Sequence, residues 1–248
     1  MKKTPKTKTA PAVVAPVVET VLVMRTCNAD MTAYGGFKWP ESGLVEAPDW
    51  KPIAKCGHGL HGLLWGVGSA SYLDLSDSAK GLVVRVAAEL VVDLGGKVKF
   101  PRGEVVFCGD LKGAADYICA NGGAGRAVVR GTATAGDRGT ATAGVSGTAT
   151  AGDRGTATAG DSGTATAGYS GTATAGDRGT ATAGVRGTAT AGSGGTICIL
   201  YWSGKRYKSR IAQVKDEDGD GELEPNVPYR LNERGEFVKA PVGKKDSK

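Results

Sequence analysis

The chain has 248 residues and a formal net charge of +6, long enough for one or two domains with a sizeable core. Glycine is 40 of 248 against a usual share of roughly 7%, so the apolar material is unevenly spread and the chain is not an average globular one. No run of about 18 apolar residues exists, which excludes a transmembrane helix, and much of the lysine sits in two tails (Lys2, Lys3, Lys6, Lys8; Lys244, Lys245, Lys248), which leaves no basic groove for specific nucleic-acid binding.

Residues 1–19 read as a disordered basic tail. The apolar stretch Ala10–Val18 is broken by Pro11 and Pro16, whereas a signal peptide needs an uninterrupted apolar segment and a small-residue cleavage site. Five cysteines, Cys27, Cys56, Cys108, Cys119 and Cys198, have no framework spacing and fit reduced thiols in a cytoplasm.

Residues 20–122 hold the conventional core, an α+β domain expected to cap the repeats C-terminal to it. Val21–Thr26 predicts a strand, Leu82–Val86 and the Glu89–Val92 region another one or two, and Val98–Phe100 and Glu104–Cys108 two more on either side of Pro101-Arg102-Gly103. Asp110 is a good N-cap for a helix in which Leu111, Ala114, Ala115, Ile118 and Cys119 share one face, with Asn121-Gly122 as its end. Cys56-Gly-His-Gly-Leu-His61-Gly contains both histidines of the chain. Cys56, His58 and His61 are candidate zinc ligands, since thiolate and imidazole suit that ion, but the spacing matches no standard zinc motif and three close glycines read equally as a tight turn. Arg25 on the first strand, Ser69 and Ser71 before Tyr72, and Glu104 further on follow an order that resembles ADP-ribosyltransferases. That resemblance implies Arg25 on a dinucleotide phosphate, Ser69 or Ser71 supporting the site and Glu104 orienting the ribose.

Residues 123–195 contain the dominant signal. Eight octads read Gly-Thr-Ala-Thr-Ala-Gly-x-x without a break from Gly131 to Gly194. Thr and Ala alternate, so a strand puts them on opposite faces, while the glycines permit positive φ and tight reversals around the variable pair. One octad reverses direction and two close a coil, giving a parallel β-solenoid of four 16-residue coils; three octads per coil would instead make a triangular prism. At about 4.8 Å per coil the array would stand roughly 19 Å tall. Alanine methyls fill a thin gap, whereas buried hydroxyls would each need an internal partner. The outward array is therefore Thr132, Thr134, Thr140, Thr142, Thr148, Thr150, Thr156, Thr158, Thr164, Thr166, Thr172, Thr174, Thr180, Thr182, Thr188 and Thr190. Four aspartates balance four arginines within the octads, so this surface is close to neutral. Ala127-Val128-Val129 reads as a degenerate strand leading into the first coil.

The stretch Thr166-Ala-Gly-Tyr-Ser-Gly-Thr-Ala-Thr-Ala-Gly176 resembles the repeat of bacterial ice-nucleation proteins, and the domain order is similar to that of bacteriophage and bacterial proteins with such repeats behind a small N-terminal domain. The resemblance implies a β-solenoid with Thr-x-Thr ranks able to order water; the compartment expected from the reduced thiols is a bacterial cytoplasm, or that of the host if the protein is phage-encoded. The array here is short, with Tyr169 as its only tyrosine.

Residues 196–240 predict a C-terminal β cap. Thr196–Trp202 and Lys205–Val214 flank Ser203-Gly204 as one hairpin; Val227–Leu231 and Glu236–Lys239 form a second. Between them Asp216, Asp218 and Asp220 match the start of a calcium loop, but the twelfth position is Val227 rather than a bidentate Glu, and an acidic surface loop reads as well. Residues 241–248 form a second tail. The sequence thus favours a mainly β, non-enzymatic scaffold or interaction surface with no cofactor, no membrane and an unidentified protein partner, capable of pairing as a homodimer through a solenoid face. Ice or crystal-surface binding, or a nucleotide-binding or ADP-ribosyltransferase-like N-terminal domain with the array as spacer, are its alternatives.

Overall fold

The computed structural model describes residues 18–241, so the expected tails fall almost wholly outside the described residues. Seven strands come first: β1 (Thr20–Cys27), β2 (Gly43–Glu46), β3 (Leu60–Leu64), β4 (Lys80–Ala87), β5 (Val92–Asp93), β6 (Val98–Phe100) and β7 (Arg102–Gly109). They pair antiparallel in one sheet of order β2-β7-β4-β1-β3-β6-β5. Strand alternation divides the core in two. Leu22 and Met24 of β1 face the helix α1 (Leu111–Ile118), while Val23 and Cys27 face Trp39, Leu60 and Phe100 on the opposite side. Asp110 caps α1, its Oδ1 accepting the Gly113 N–H at 2.6 Å, and Leu111, Ala114, Ala115 and Ile118 are buried against the sheet.

Two strands of this sheet, β2 and β3, carry too little alternation to be read from sequence. β3 is interrupted by Gly62, where a Cβ would come within 2.5 Å of Val23 Cγ1 and 2.6 Å of the Met24 carbonyl oxygen, so only glycine lets β3 pair closely with β1. The expected strand at Glu89–Val92 is instead a single turn of 3-10 helix over Ala88–Leu90 followed by the short β5.

The octads form eight strands: β8 (Thr132–Ala135), β9 (Thr140–Thr142), β10 (Thr148–Ala151), β11 (Thr156–Ala159), β12 (Thr164–Ala167), β13 (Thr172–Ala175), β14 (Thr180–Ala183) and β15 (Thr188–Thr190). Alternate strands stack in parallel, with Thr164 level with Thr148 and Thr180, and Thr172 level with Thr156 and Thr188. Two octads therefore make one 16-residue coil, and the triangular alternative is excluded. Ala149, Ala157, Ala165, Ala173, Ala181 and Ala189 are fully buried in the slit between the two sheets, and the threonines stand exposed or half-exposed outside.

The bends work differently from the glycine expectation. Left-handed φ falls on the second residue of each variable pair, Arg138, Ser146, Arg154, Ser162, Ser170, Arg178 and Arg186, at 52° to 61°, and only the last pair places a glycine there, Gly194. This conformation turns the amide along the stacking axis: Arg138 N–H donates to the Asp153 carbonyl and Ser146 N–H to the Asp161 carbonyl, both at 2.8 Å. That geometry costs a non-glycine residue about 1–2 kcal/mol, offset here by one hydrogen bond per bend. The repeated glycines serve space instead. A Cβ on Gly139 would lie 2.8 Å from Ala135 Cβ and 2.9 Å from the Gly136 carbonyl oxygen. Val129-Arg130 is the first of these bends, with Arg130 at φ 56° and its N–H on the Val145 carbonyl, so in place of the expected leading strand Ala127 and Val128 are irregular chain and Val129 opens a turn.

The first variable residue adds a second ladder. Asp137 Oδ1 accepts the Asp153 N–H at 3.0 Å and Asp153 Oδ1 that of Tyr169 at 2.8 Å; Asp161 and Asp177 serve Asp177 and Ser193 in the same way. Asp153→Ala leaves the Tyr169 amide without that acceptor and is expected to cost about 1 kcal/mol, read as a lower urea midpoint. An unchanged midpoint would show that water replaces the rung at no cost.

The two ends of the solenoid differ. At the C-terminal end β16 (Thr196–Trp202) continues the first sheet with Ile197 and Ile199 level with Ala181 and Ala183, and β17 (Tyr207–Gln213) pairs antiparallel with it. The second sheet is closed by β18 (Tyr229–Leu231) against β15 and by β19 (Phe237–Lys239) beyond. At the other end β8 and β9 are the outermost strands, and among the described residues no strand bonds to their free edges. Val128 and Val129 bridge there instead, buried against Ile118 and tied by the Val129 N–H to the Gly66 carbonyl at 3.0 Å.

Candidate functional site

Two regions present organised chemistry. The first is the pair of threonine faces. In-register parallel stacking places the hydroxyls of successive coils about 4.8 Å apart, and the two threonines of one strand are about 6.7 Å apart. The result is a two-dimensional lattice of hydroxyl and methyl groups on each sheet. Tyr169 stands at a bend, beside the lattice rather than in it.

The second region is a cleft of about 570 Å³ in the N-terminal domain, on the side of the sheet away from α1. It brings together Arg25, Cys56, His58 and His61 with Trp39, Asp49 and Lys97. Arg25 stacks on Trp39, its guanidinium carbon 4.0 Å from the ring centroid, and donates from Nε and Nη2 to the Thr26 carbonyl at 3.3 and 3.1 Å. Burial pushes its pKa down to about 10. His61 of β3 meets the cleft through its carbonyl, which accepts from Arg25 Nη1 at 3.5 Å, while strand parity turns its ring to the face of Leu63 and Met24; burial, then the positive charges of Lys97 and Lys99, lower its pKa. Lys97 Nζ lies 3.2 Å from Cys56 Sγ, and this contact lowers the thiol pKa. His58 Nδ1 is 3.2 Å from Asp49 Oδ2. Trp39, Asp49 and Lys97 gave no sequence signal, because each sits in irregular or turn-rich chain whose folding back could not be read.

The remaining sequence candidates do not join this cleft. Glu104 lies level with Arg85 and Leu22 across three strands, three positions from Arg25 along β1, so the two side chains occupy opposite faces of the sheet. Glu104 instead pairs with Arg85 at 3.0 Å on the surface. Ser69 and Ser71 hydrogen-bond each other at 2.7 Å in an exposed turn. The arrangement that the ADP-ribosyltransferase resemblance implies is therefore not assembled.

Neither metal set converges: among the described residues no group of three His, Cys, Asp or Glu side chains is placed to hold an ion. Cys56 and His58 are turned toward Lys97 and Asp49, away from a common centre with His61. In the acidic loop Asp216 Oδ1 accepts the N–H groups of Asp218 and Asp220, each at 3.0 Å, so that carboxylate shapes its own turn.

Residues 21–117, under half of the chain, match the profile of a domain described as a domain of unknown function (DUF7666). The chain is 43% identical over 100 residues to the ice nucleation protein InaA of Pantoea ananas, a match covering 40% of this chain and 8% of that protein. Its repeats are similar to those of ice nucleation proteins. Further matches are an ice nucleation protein of Pseudomonas fluorescens, 44% identical over 105 residues (42% of this chain, 9% of that one), and one of Xanthomonas campestris pv. translucens, 41% identical over 107 residues (42% and 7%). The chain thus spans under a tenth of the length of these curated relatives. No solved structure matches it.

Proposed function

We propose that the protein is a non-enzymatic β-solenoid scaffold whose threonine faces order water and adsorb to ice. The observation carrying this reading is the unbroken 16-residue register, which repeats one Thr-x-Thr pair on every strand of two parallel sheets. Spacings of about 4.8 and 6.7 Å approximate an ice lattice, and threonine supplies a methyl group and a hydroxyl at each point. The likeness to ice nucleation proteins supports the same surface. Thermal hysteresis, ice-crystal shaping and droplet freezing temperature read the activity. Thr166→Lys tests the sheet of β12 and Thr158→Lys that of β11; both are outward positions, so folding survives while the affected face loses most of its activity. Wild-type protein that neither shapes crystals nor shifts freezing removes the reading.

A scaffold role through self-association is the second reading, favoured by the free edges of β8 and β9, where Ala133 and Ala135 are only partly buried. A second copy could extend both sheets there, or pair through a threonine face as a homodimer. The cytoplasm of a bacterium, or of the host for a phage-borne copy, is the compartment this reading assumes. Removing two octads shortens the array by one coil, which weakens face-to-face pairing but leaves edge pairing intact. Light scattering over a range of protein concentrations separates the two, and a monomeric mass at every concentration removes both.

A further inference from the structure

The cleft beside Arg25 has the makings of a ligand site that neither the repeat nor its likeness explains. Two cations line it, Arg25 and Lys97. Arg25 has no acidic partner among the described residues, and its Nη1 reaches only the His61 carbonyl, at 3.5 Å. Lys97 stands at the cleft wall, its Nζ on Cys56 Sγ at 3.2 Å. Among the described residues Asp49 is the one carboxylate in the lining, and it is taken up by His58 and by the Gly59 N–H. Positive charge removed from water without a counter-ion is costly.

Trp39 Nε1, in the ring that Arg25 stacks on, is a buried side-chain polar atom that lacks a hydrogen-bond partner among the described residues. Native proteins leave few such atoms unpaired, and one beside an uncompensated guanidinium marks a place for an acceptor. The walls add a second requirement. Phe37 meets Trp39 edge-on at 5.4 Å, and Tyr34 stands fully exposed at the rim, followed by Gly35 and Gly36, both at positive φ with open space around them. An aromatic ring left in water on a glycine hinge is suited to close over a flat apolar group.

We propose that this cleft binds a small organic anion bearing a planar ring, its phosphate or carboxylate seated on Arg25 and its ring held between Tyr34 and Phe37. The guanidinium fork matches either anion bidentately, the Trp39 N–H donates to it, and the volume lies in the range of about 300–1,000 Å³ usual for such ligands. This site is independent of the ice-binding reading, because it lies in the sheet of β1 to β7 and uses no threonine of the array.

Titration calorimetry on the full chain, with tryptophan fluorescence alongside, tests it using four probes: adenosine 5′-monophosphate, indole-3-acetate, adenosine and inorganic phosphate. At least one of the two ring-bearing anions is expected to bind with a dissociation constant below about 1 mM, and tighter than adenosine or phosphate by about tenfold. Which of the two binds better distinguishes a phosphate ligand from a carboxylate one. Arg25→Gln should weaken that binding at least about tenfold, Tyr34→Ala should weaken it several-fold, and Glu104→Gln, on the opposite face, should leave it unchanged. Should Arg25→Gln unfold, Arg25→Lys keeps the charge, loses the fork and gives the same reading. The proposal is overturned if neither ring-bearing anion binds at millimolar concentration, if phosphate alone binds as well as both, or if the Arg25 variants bind like the wild type.

Discussion

Ala165→Leu is expected to destabilise the solenoid by about 3 kcal/mol, at the upper end of ordinary overpacking, whereas Thr166→Val, one residue away, should change stability by no more than about 0.5 kcal/mol. The contrast comes from the alternation along β12. Ala165 is fully buried, level with Ala149 and Ala181 in its own sheet and facing the alanines of the other sheet across the slit. Three extra carbons have no void to enter, so the sheets must part, and parting them strains the bends on both sides, where each amide already serves the next coil. The hydroxyl of Thr166 points to water and its removal leaves no buried group unpaired. Thermal melting of the two variants gives the comparison directly, with each kcal/mol worth about 2–4 °C in a chain of this size. Equal melting temperatures would mean that the slit is not closed by alanine, and the outward threonine lattice would lose its structural basis.

Much of this architecture is written in the octad. Strict alternation decides which residue is inside, and the count of residues per reversal decides the coil, so the solenoid, its 16-residue register and its closing hairpins are legible in the residues alone. The bends are less so. Glycine allows left-handed φ, but it also allows close approach, and the sequence does not say which of the two a given glycine is for. Here the second use prevails in the octads, and arginine and serine take the left-handed positions because an amide bond to the next coil offsets the strain. The Asp ladder is hidden for a related reason: its partners are 16 residues apart and meet only when coils stack.

The cleft is half legible. Cys56, His58, His61 and Arg25 stand out as reactive side chains, and their residues line one cleft, but the chemistry suggested for them depends on partners that the fold places elsewhere. β3 begins at Leu60 and carries His61 into the sheet, away from Cys56 and His58. Parity along β1 and β7 puts Glu104 behind the sheet from Arg25. A charge balance drawn from the whole chain could not reveal that Arg25 is buried with no acidic partner among the described residues, the one carboxylate of its cleft, Asp49, being taken up by His58 and the Gly59 N–H.

Ile197→Asp should have the other large effect, because it attacks the point where the repeat stops. Ile197 and Ile199 take the places of alanines in β16 and, with Val214, Leu223 and Tyr229, fill the end of the slit. A carboxylate at the fully buried position 197 has no partner there, and leaving a charge buried and unpaired costs about 3–5 kcal/mol. The cheapest response is for β16 to leave β14, carrying the hairpin with it, which bares the edge of β14 and weakens the cover of β15. Those edges are TATA segments of flat, uncharged strand, a template for pairing with another chain. The variant is therefore expected to melt earlier and to form larger species as its concentration rises, measured by size-exclusion chromatography with light scattering. Wild-type protein gives the baseline, since its β8 and β9 edges are already free among the described residues. Ile197→Val, which keeps the slit apolar, should remain near that baseline. If Ile197→Asp also does, the hairpin is not what terminates the stack.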